Sequence, residues 1–419
     1  MTDLRRNALA LGADYALFMV GLAFASQATI LPAFAASLGA PNVVIGAIPA
    51  VMTLGWALPS LFAAGHTAAL PRKLPFVVRW TVLERLPFPG LALLAFLVAD
   101  PAPALTLALM LALLLAITGV GGALMPAWMD IVGRAIPTRM RGRFFALASL
   151  AAGMLGFGAS LLAARALTAW PGAPGFGICF LGATVAMALS FLALLFVREP
   201  PGGAAAPAVP LRDHLRRVPS LLRRDPNLAW YLAARALAVV GTMAAGFFTV
   251  HALRAWEAPA GQVGLFTALL LGGQVLGTAT LGWVADRAGH RVVIMAGIAA
   301  TLAANGVALA APSLALFGLV FVLTGFQNAA ITVSNLNVLL EFAPSEKERP
   351  TYIGLGLTAM APVSFGAPLA AGLLADLTGL RAVFALAALA ALVGLGLLWA
   401  RVRDPRAARG LAPVAEVGA

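Results

Sequence analysis

The chain is poor in charged residues and in cysteine, and each shortage excludes a class of protein. Only 11% of its 419 residues are charged, whereas soluble globular domains carry about 25%. The single cysteine, Cys179, excludes an internal disulfide framework. No pair of residues suggests a metal site, and no glycine-rich loop followed by lysine is present to hold a phosphate. We therefore expect neither an enzyme nor a nucleotide-driven pump, and no cofactor.

The residues that are abundant are apolar, and they occur in long runs. Hydrophobic residues make up 61% of the chain, and the mean hydropathy is +0.94. Gly261 to Ala285 and Val292 to Ala311 contain no charged residue. Runs of this length match the roughly 20 residues that a helix needs to cross a hydrocarbon core of ~30 Å. The pattern predicts an all-α polytopic membrane protein.

Counting such runs predicts twelve transmembrane helices, here called spans and numbered in chain order. Their predicted bounds are Leu9–Leu38, Val43–Ala69, Pro75–Val98, Ala104–Ala135, Arg143–Thr168, Phe176–Val197, Leu228–Leu253, Gly261–Ala285, Val292–Ala311, Ser313–Phe342, Tyr352–Leu377 and Ala382–Ala400.

A basic stretch divides the twelve predicted spans into six and six. We predict an N-terminal six-helix bundle (1–197), a basic cytoplasmic linker (198–227), a C-terminal six-helix bundle (228–401) and a cytoplasmic tail (402–419). Within the linker, apolar residues recur at helical spacing opposite arginines, which is typical of a segment that lies at a membrane interface.

The net charge of +12 fits either nucleic acid or a membrane surface, and its distribution decides between them. Of the 28 Lys and Arg residues, Arg79, Arg85 and Arg235 fall inside apolar runs, and 22 of the other 25 lie at the N-terminus, in every second loop, or in the tail. Only Arg165, Arg254 and Arg381 lie in the other loops. This asymmetry is the positive-inside pattern. We expect a multi-pass protein of the cytoplasmic (inner) membrane with both termini in the cytoplasm, and no binding of nucleic acid.

The charged turn between spans 8 and 9 carries a recognisable motif. Gly282, Asp286, Arg287, Gly289 and Arg291 have the spacing Gly-x-x-x-Asp-Arg-x-Gly-x-Arg. This turn resembles the signature loop of the major facilitator superfamily of secondary transporters. The resemblance implies two six-helix bundles related as parallel repeats, with substrate held near the midplane between them.

Weak similarities between the two halves agree with such a repeat. When the sequence is shifted by 220 residues, Asn7, Val20 and Gly21 align with Asn227, Val240 and Gly241.

The resemblance also implies gating residues at the cytoplasmic side. In the superfamily this loop latches the two halves, so Asp286, with Arg287 and Arg291 beside it, is expected to approach Arg141 and Arg143 at the start of span 5. A second latch would join two pairs of loop charges: Arg72 and Lys73 with Glu346 and Glu348. The alternative is that these are ordinary solvated charges, worth about 0–1 kcal/mol per pair.

Charge is costly inside a membrane span, and the ionisable residues singled out there as coupling candidates are Asp14, Glu84, Arg85 and Arg235. One interpretation is a structural set of ion pairs, in which Asp14 or Glu84 neutralises Arg79 or Arg85. The other makes Asp14 or Glu84 a proton-titrating coupling site, with Arg235 as a counter-charge or an anchor for an anionic substrate.

Uncharged polar side chains supply a candidate substrate pocket. Span 10 is unusually polar, and the resemblance implies that it lines the cavity. With residues of spans 1, 2 and 8, its polar side chains would form a neutral hydrogen-bonding pocket from Gln27, Thr29, Trp56, Gln274, Gln327, Asn328, Thr332 and Asn335. The alternative is hydrogen bonding between helices that holds the bundle together.

The sequence therefore predicts a secondary transporter that moves a small solute by alternating access, without a cofactor. Its expected partners are the solute, the lipid bilayer, and a proton or another coupling ion, and the chain is expected to act as a monomer. One alternative is efflux of amphipathic drugs or metabolites, although the drug antiporters carry a central arginine in span 4 and a proline in span 5, whereas Ala104–Pro126 of this span 4 has no charge and this span 5 has no proline. Another is a non-transporting membrane sensor or scaffold with the same fold.

Overall fold

The structure is a computed structural model that describes residues 2–200, 221–346 and 348–405. Most of the predicted amphipathic linker and residues 406–419 of the predicted tail lie outside the described residues. Within the described ranges, all regular secondary structure is helical.

Twelve helical segments of the described chain are long and apolar enough to cross a membrane. The helices that form them are Thr2–Phe24, Asn42–Ala69, Leu74–Val98, Pro103–Ala135, Thr138–Ala169, Ala173–Leu195, Pro226–Ala255, Gly261–Ala288, His290–Ala310, Leu314–Phe342, Arg349–Thr378 and Leu380–Arg401. We number them span 1 to span 12, as predicted. The predicted all-α, twelve-span architecture is confirmed.

Span 1 is shorter than predicted because the helix breaks. It ends at Phe24, and a separate short helix, Ile30–Ser37, follows after a turn. Pro32 lies in the first turn of that second helix. A proline has no backbone N–H to donate, and its ring clashes with the carbonyl four residues earlier, so a continuous helix through Ala28 is disfavoured.

Three other spans contain local interruptions. Span 3 consists of Leu74–Arg85 and Pro87–Leu93 followed by a π-helical turn, and the prolines at 87 and 89 lie at its junction. Span 7 changes to a 3₁₀ turn at Thr242–Ala244, and span 10 is divided at Gly318.

By their internal contacts, the residues fall into two compact units. Among the described residues, those of the first unit lie within Met1–Val209 and Glu257–Ala268, and those of the second lie within Pro210–Trp256 and Leu269–Ala419. In the first unit, span 1 packs against spans 5 and 6, and span 2 packs along span 4. In the second unit, span 9 packs against spans 10 and 12, and span 12 also packs against span 7. The first residues of span 8 thus pack with the first half of the chain.

Glycines allow two of these helix pairs to approach closely. In the first unit, a methyl group added at Gly122 would come within 2.6 Å of the backbone oxygens of Gly55 and Trp56. In the second unit, one added at Gly273 would overlap the Val322 carbonyl of span 10. Backbones in contact at such positions leave no room for a side chain.

In each half of the chain, an asparagine at the start of the first span makes hydrogen bonds to the backbone just after the last span. The Asn7 side chain donates to the Arg198 carbonyl (2.8 Å) and accepts from the Arg198 backbone N–H (2.9 Å). Asn227 does the same with Arg403, at 3.0 and 2.8 Å. The two asparagines are those aligned by the 220-residue shift. Similar tetrapeptides, Val-Arg-Glu-Pro at 197–200 and Val-Arg-Asp-Pro at 402–405, carry the bonded residues.

Candidate functional site

Three of the four ionisable residues predicted for coupling meet inside the first unit. Asp14 lies on span 1, Glu84 and Arg85 lie on span 3, and all three are buried. The Arg85 guanidinium donates to Asp14 Oδ1 at 3.0 Å and to Glu84 Oε2 at 3.1 Å. Arg79, the other arginine considered as a partner, is exposed and lies 5.8 Å from the centre of the Trp80 ring. Arg85 is therefore shared by both carboxylates.

Neutral donors surround Asp14 more completely than Glu84. Asp14 Oδ1 also accepts a hydrogen bond from Ser190 on span 6 (2.7 Å), and Asp14 Oδ2 accepts one from the Trp128 indole on span 4 (2.9 Å). Glu84 Oε2 accepts a bond from the Thr81 hydroxyl (2.9 Å). In the described chain, Glu84 Oε1 has no hydrogen-bond donor. Both oxygens of Asp14 are thus satisfied, whereas one oxygen of Glu84 is not.

A small cavity borders the two carboxylates. It has a volume of about 120 Å³, and its lining includes Asp14, Glu84, Trp56, Tyr15 and Trp128. A single water needs about 10–15 Å³ of such volume, so the cavity has room for several. Trp56, predicted as a substrate residue, therefore lies beside the predicted coupling residues.

Gly121 of span 4 makes room for this arrangement. A methyl group added there would overlap Glu84 Oε1 and would approach the Trp56 ring to 2.8 Å. The carboxylate and the indole can therefore occupy their observed positions only beside a residue without a side chain.

The charges of this cluster do not balance when all three groups are ionised. One guanidinium serves two carboxylates, which leaves one excess negative charge on buried groups. The other polar side chains at the cluster, which come from spans 1, 2, 3, 4 and 6, are neutral. An uncompensated buried charge costs several kcal/mol. One proton added to the cluster would make it neutral.

No pattern in the sequence indicated the neutral donors Thr81, Trp128 and Ser190. Ser190 lies 176 residues from Asp14 along the chain, and no local spacing relates the two. Only Thr81 could have been suspected, because it precedes Glu84 by one helical turn and so lies on the same face of span 3.

A second ionic network at the start of span 3 was also missed. Lys73 Nζ lies 2.8 Å from Asp130 Oδ2, and the same oxygen is 2.8 Å from the Arg134 guanidinium one turn along span 4. The Glu199 carboxylate accepts hydrogen bonds from the backbone N–H groups of Lys73 (2.8 Å) and Leu74 (2.9 Å). A carboxylate here satisfies helix N–H groups and the positive end of the helix dipole. Lys73, predicted for gating, is thus paired inside its own unit.

The other gating candidates of the first unit lie near the same end. Arg72 and Arg143 are exposed. Arg141 donates to the Ile136 carbonyl at 3.1 Å and to the Gly133 carbonyl, so it caps the last turn of span 4.

The signature turn of the second unit has a defined conformation. Gly289 has φ +86°, a left-handed value that favours glycine, and it separates spans 8 and 9. Asp286 is exposed, and the Arg287 guanidinium lies 3.9 Å from the centre of the Trp283 ring. Arg291 donates to two carbonyls of the last turn of span 12, each at 3.0 Å. The predicted pairing of Asp286 with Arg141 and Arg143 stays a prediction.

The acidic gating candidates precede span 11. Glu346 is exposed and pairs with Arg349 at 2.9 Å. Glu348 is partly buried and directly precedes the first residue of the helix.

Arg235, the fourth coupling candidate, lies in the second unit. It is 6% exposed, and it donates to Asn335 Oδ1 of span 10 at 3.3 Å. Among the described residues, no carboxylate lies within ion-pair distance of Arg235, and its buried Nε has no hydrogen-bond partner. The polar stripe of span 10 thus supplies the neutral partner of a buried cation.

The remaining substrate candidates have varied surroundings. In the first unit, Gln27 is exposed in the turn after span 1, and the buried Thr29 hydroxyl lies 2.6 Å from that of Thr267. In the second unit, the Thr332 hydroxyl donates to the Asn328 carbonyl of its own helix (2.9 Å). Gln274 and Gln327 are partly buried.

Solved structures with a similar fold are membrane transporters. The nucleoside transporter NupG, in a mutant form, is similar with a TM-score of 0.73 at 14% identity, covering 94% of this chain and 100% of that chain. A bacterial homologue of the human lysosomal transporter Spinster has a TM-score of 0.68 at 14% identity, covering 96% and 97%. A D-xylose-proton symporter has a TM-score of 0.67 at 12% identity, covering 95% and 98%. At these identities the likeness is one of fold.

The sequence itself was compared with curated proteins and with family models. No curated protein matches it. Residues 232–418 match the family model described as Major Facilitator Superfamily. This match covers slightly less than half of the chain, and the described residues have the twelve-span fold of the membrane transporters named above.

Proposed function

We propose that this protein is a secondary transporter of the major facilitator superfamily that couples the movement of a small polar solute to that of a proton, and that Glu84 gains and loses the proton. The observation that carries the proposal is the buried cluster in which Arg85 is shared by Asp14 and Glu84. With one cation for two carboxylates, the cluster has room for one proton, and the protonated cluster is neutral. The rival interpretation is a permanent ion-pair set that never changes its protonation state.

Hydrogen bonding distinguishes the roles of the two carboxylates. Asp14 accepts bonds from Arg85, Ser190 and Trp128, and donors to a carboxylate favour its ionised form. Glu84 has fewer donors, and its Oε1 has none in the described chain although Glu84 borders the cavity. Glu84 is therefore the group that takes up the proton, while Asp14 keeps Arg85 in place.

The proposal that the solute is small and polar rests on the uncharged polar residues predicted for the substrate site. Gln27, Thr29, Trp56, Gln274, Gln327, Asn328, Thr332 and Asn335 offer hydrogen bonds without a formal charge. The similar structures named for a nucleoside transporter and a D-xylose-proton symporter have names that indicate polar, hydrogen-bonding solutes. The distribution of arginine supports an orientation with both termini in the cytoplasm.

Infrared spectroscopy of the purified protein tests the proton site without requiring a known solute. Difference spectra between acidic and neutral buffer should show the C=O band of a protonated buried carboxyl group. Glu84→Gln should remove this band. Glu84→Asp, which keeps both negative charges, should shift the band, whereas Asp14→Glu should leave its position unchanged. Glu346→Gln is the control, because Glu346 is exposed. A band that survives in Glu84→Gln would contradict the assignment.

Transport in liposomes tests the coupling. Purified protein is reconstituted with a pH-sensitive dye inside, and uridine, D-xylose or di-alanine is added outside. We expect at least one of these solutes to change the internal pH through the wild type. Glu84→Gln should retain exchange of that solute across the membrane but lose the accompanying proton movement.

A further inference from the structure

An open groove runs along the outside of the first unit between the start of span 1 and the end of span 6. Its volume is about 640 Å³. The groove lies near the start of span 1, at the opposite end of that helix from the break after Phe24. It is separate from the cavity at Glu84, since the two share no lining residue.

The shape of the groove suits a flexible hydrocarbon chain. Ala10, Ala13 and Ala193 form its floor, whereas Leu9 and Phe196 form its rims. The rim side chains are 66% and 61% exposed. Small residues between bulky exposed ones leave a slot, and apolar side chains exposed on a membrane-spanning helix face lipid.

The end of the groove nearest the N-terminus is cationic. Arg5 and Arg6 belong to its lining. Arg5 is exposed, and Arg6 uses its Nε to donate to the Phe196 carbonyl at 2.7 Å, which holds the side chain beside the groove. The nearby carboxylate of Asp3 is paired with Arg198 at 3.2 Å. In the described chain, no carboxylate lies within ion-pair distance of Arg5 or Arg6.

We propose that this groove binds an anionic phospholipid. The phosphate lies against Arg5 and Arg6, and one acyl chain runs over the alanine floor between Leu9 and Phe196. An anionic headgroup complements the two unpaired cations, and the apolar slot that continues from them fits the tail of the same molecule. A soluble anion would use only the cationic end, and a zwitterionic lipid would add a positive charge next to the arginines.

Lipid titrations of the full-length protein, followed by native mass spectrometry, test the charged end. We expect dioleoyl phosphatidylglycerol to bind more tightly than dioleoyl phosphatidylcholine. Arg5→Gln should weaken phosphatidylglycerol binding about fivefold and the double variant Arg5→Gln, Arg6→Gln about thirtyfold. The control is Arg401→Gln, which removes an exposed arginine from the end of span 12 and should change nothing. Equal binding of the two lipids by the wild type would overturn the proposal.

A second arm tests the slot while both arginines are kept. Ala193→Phe fills the floor and should weaken phosphatidylglycerol binding, and size-exclusion chromatography verifies that the variant is folded. Free glycerol phosphate is the probe for the headgroup alone. If glycerol phosphate displaces the lipid at equal concentration, or if the double arginine variant binds phosphatidylglycerol like the wild type, the groove is not a lipid site.

Discussion

At the scale of single residues, the buried cluster depends on one guanidinium. Arg85 reaches span 1 through Asp14, span 3 through Glu84 and span 6 through the Met187 carbonyl and the Ser190 hydroxyl. A buried ion pair contributes little compared with an apolar substitute, but removal of one partner leaves a buried charge without compensation. The cost of removing one partner is large here, because the loss of Arg85 would leave two carboxylates facing each other.

Replacement of Arg85 should therefore destabilise the protein strongly. We expect Arg85→Gln to cost about 3–5 kcal/mol, measured as a lower melting temperature in detergent. The matched control is Arg79→Gln on the same helix, which removes an exposed arginine and should cost under about 0.5 kcal/mol. Addition of Asp14→Asn to Arg85→Gln should recover part of the loss. Equal melting temperatures for the two single arginine variants would show that Arg85 carries no such role.

The charged members of this cluster could be predicted from the sequence, and their neutral partners could not. Asp14, Glu84 and Arg85 stand out because ionisable residues are rare within apolar segments. Ser190 and Trp128 do not stand out, since hydroxyl and indole groups are common in such segments. Lys73 was expected to face Glu346 and Glu348, which stays a prediction, and within its own unit it pairs with Asp130. Which of several acids a loop cation meets depends on tertiary packing.

At the scale of helices, the existence of each span was predictable and its internal breaks were less so. Hydropathy gives twelve runs because the bilayer sets their length. The break after Phe24 escaped detection because residues 25–31 contain no charged residue and so do not interrupt the apolar run. Its cause, Pro32, occurs in a chain with 28 prolines, and several of these, including Pro49 and Pro126, lie within continuous helices. Proline alone therefore does not locate a break.

The side chains of Asn7 and Asn227 make the same pair of hydrogen bonds, but the two pairs differ in their exposure to solvent. Asn7 is 2% exposed, whereas the bonds of Asn227 are exposed to solvent. Buried backbone groups that lose their partners cost about 1–3 kcal/mol, and exposed ones can bind water instead. Asn7→Ala should thus lower stability by about 2 kcal/mol and Asn227→Ala by under about 1 kcal/mol. Chemical denaturation in mild detergent would measure both, and an equal cost would show that burial does not matter.

Two adjacent glycines of span 8 offer a matched test of helix packing. A methyl group at Gly273 would overlap the Val322 carbonyl of span 10, whereas one at Gly272 meets nothing within 4 Å. We expect Gly273→Ala to cost about 1–3 kcal/mol through overpacking. Gly272→Ala should be neutral or slightly stabilising, because alanine favours a helix. Thermal unfolding of the two variants would decide, and a reversed order would mean that spans 8 and 10 do not pack through Gly273.

At the scale of the whole molecule, the sequence predicts the orientation in the membrane, whereas the structure gives the ends of the helices. The distribution of arginine predicts which loops face the cytoplasm, and the structure supplies the loops themselves. The turn at Gly289 and the helix ends beside it carry three charged residues of the signature motif, whereas the loop between spans 7 and 8 exposes Glu257. A rule based on charge places these two loops on opposite sides of the membrane.

Thiol labelling in intact cells would test this orientation over the whole chain. Cys179 is the sole cysteine and is fully buried, so Cys179→Ala provides a background without thiols at little expected cost. Glu257→Cys in this background should react with a membrane-impermeant maleimide added outside the cells. Arg287→Cys should react only after the cells are permeabilised, because the distribution of arginine predicts that its loop faces the cytoplasm. Labelling of Arg287→Cys from outside would invert the orientation and would place Arg5 and Arg6 at the outer leaflet as well.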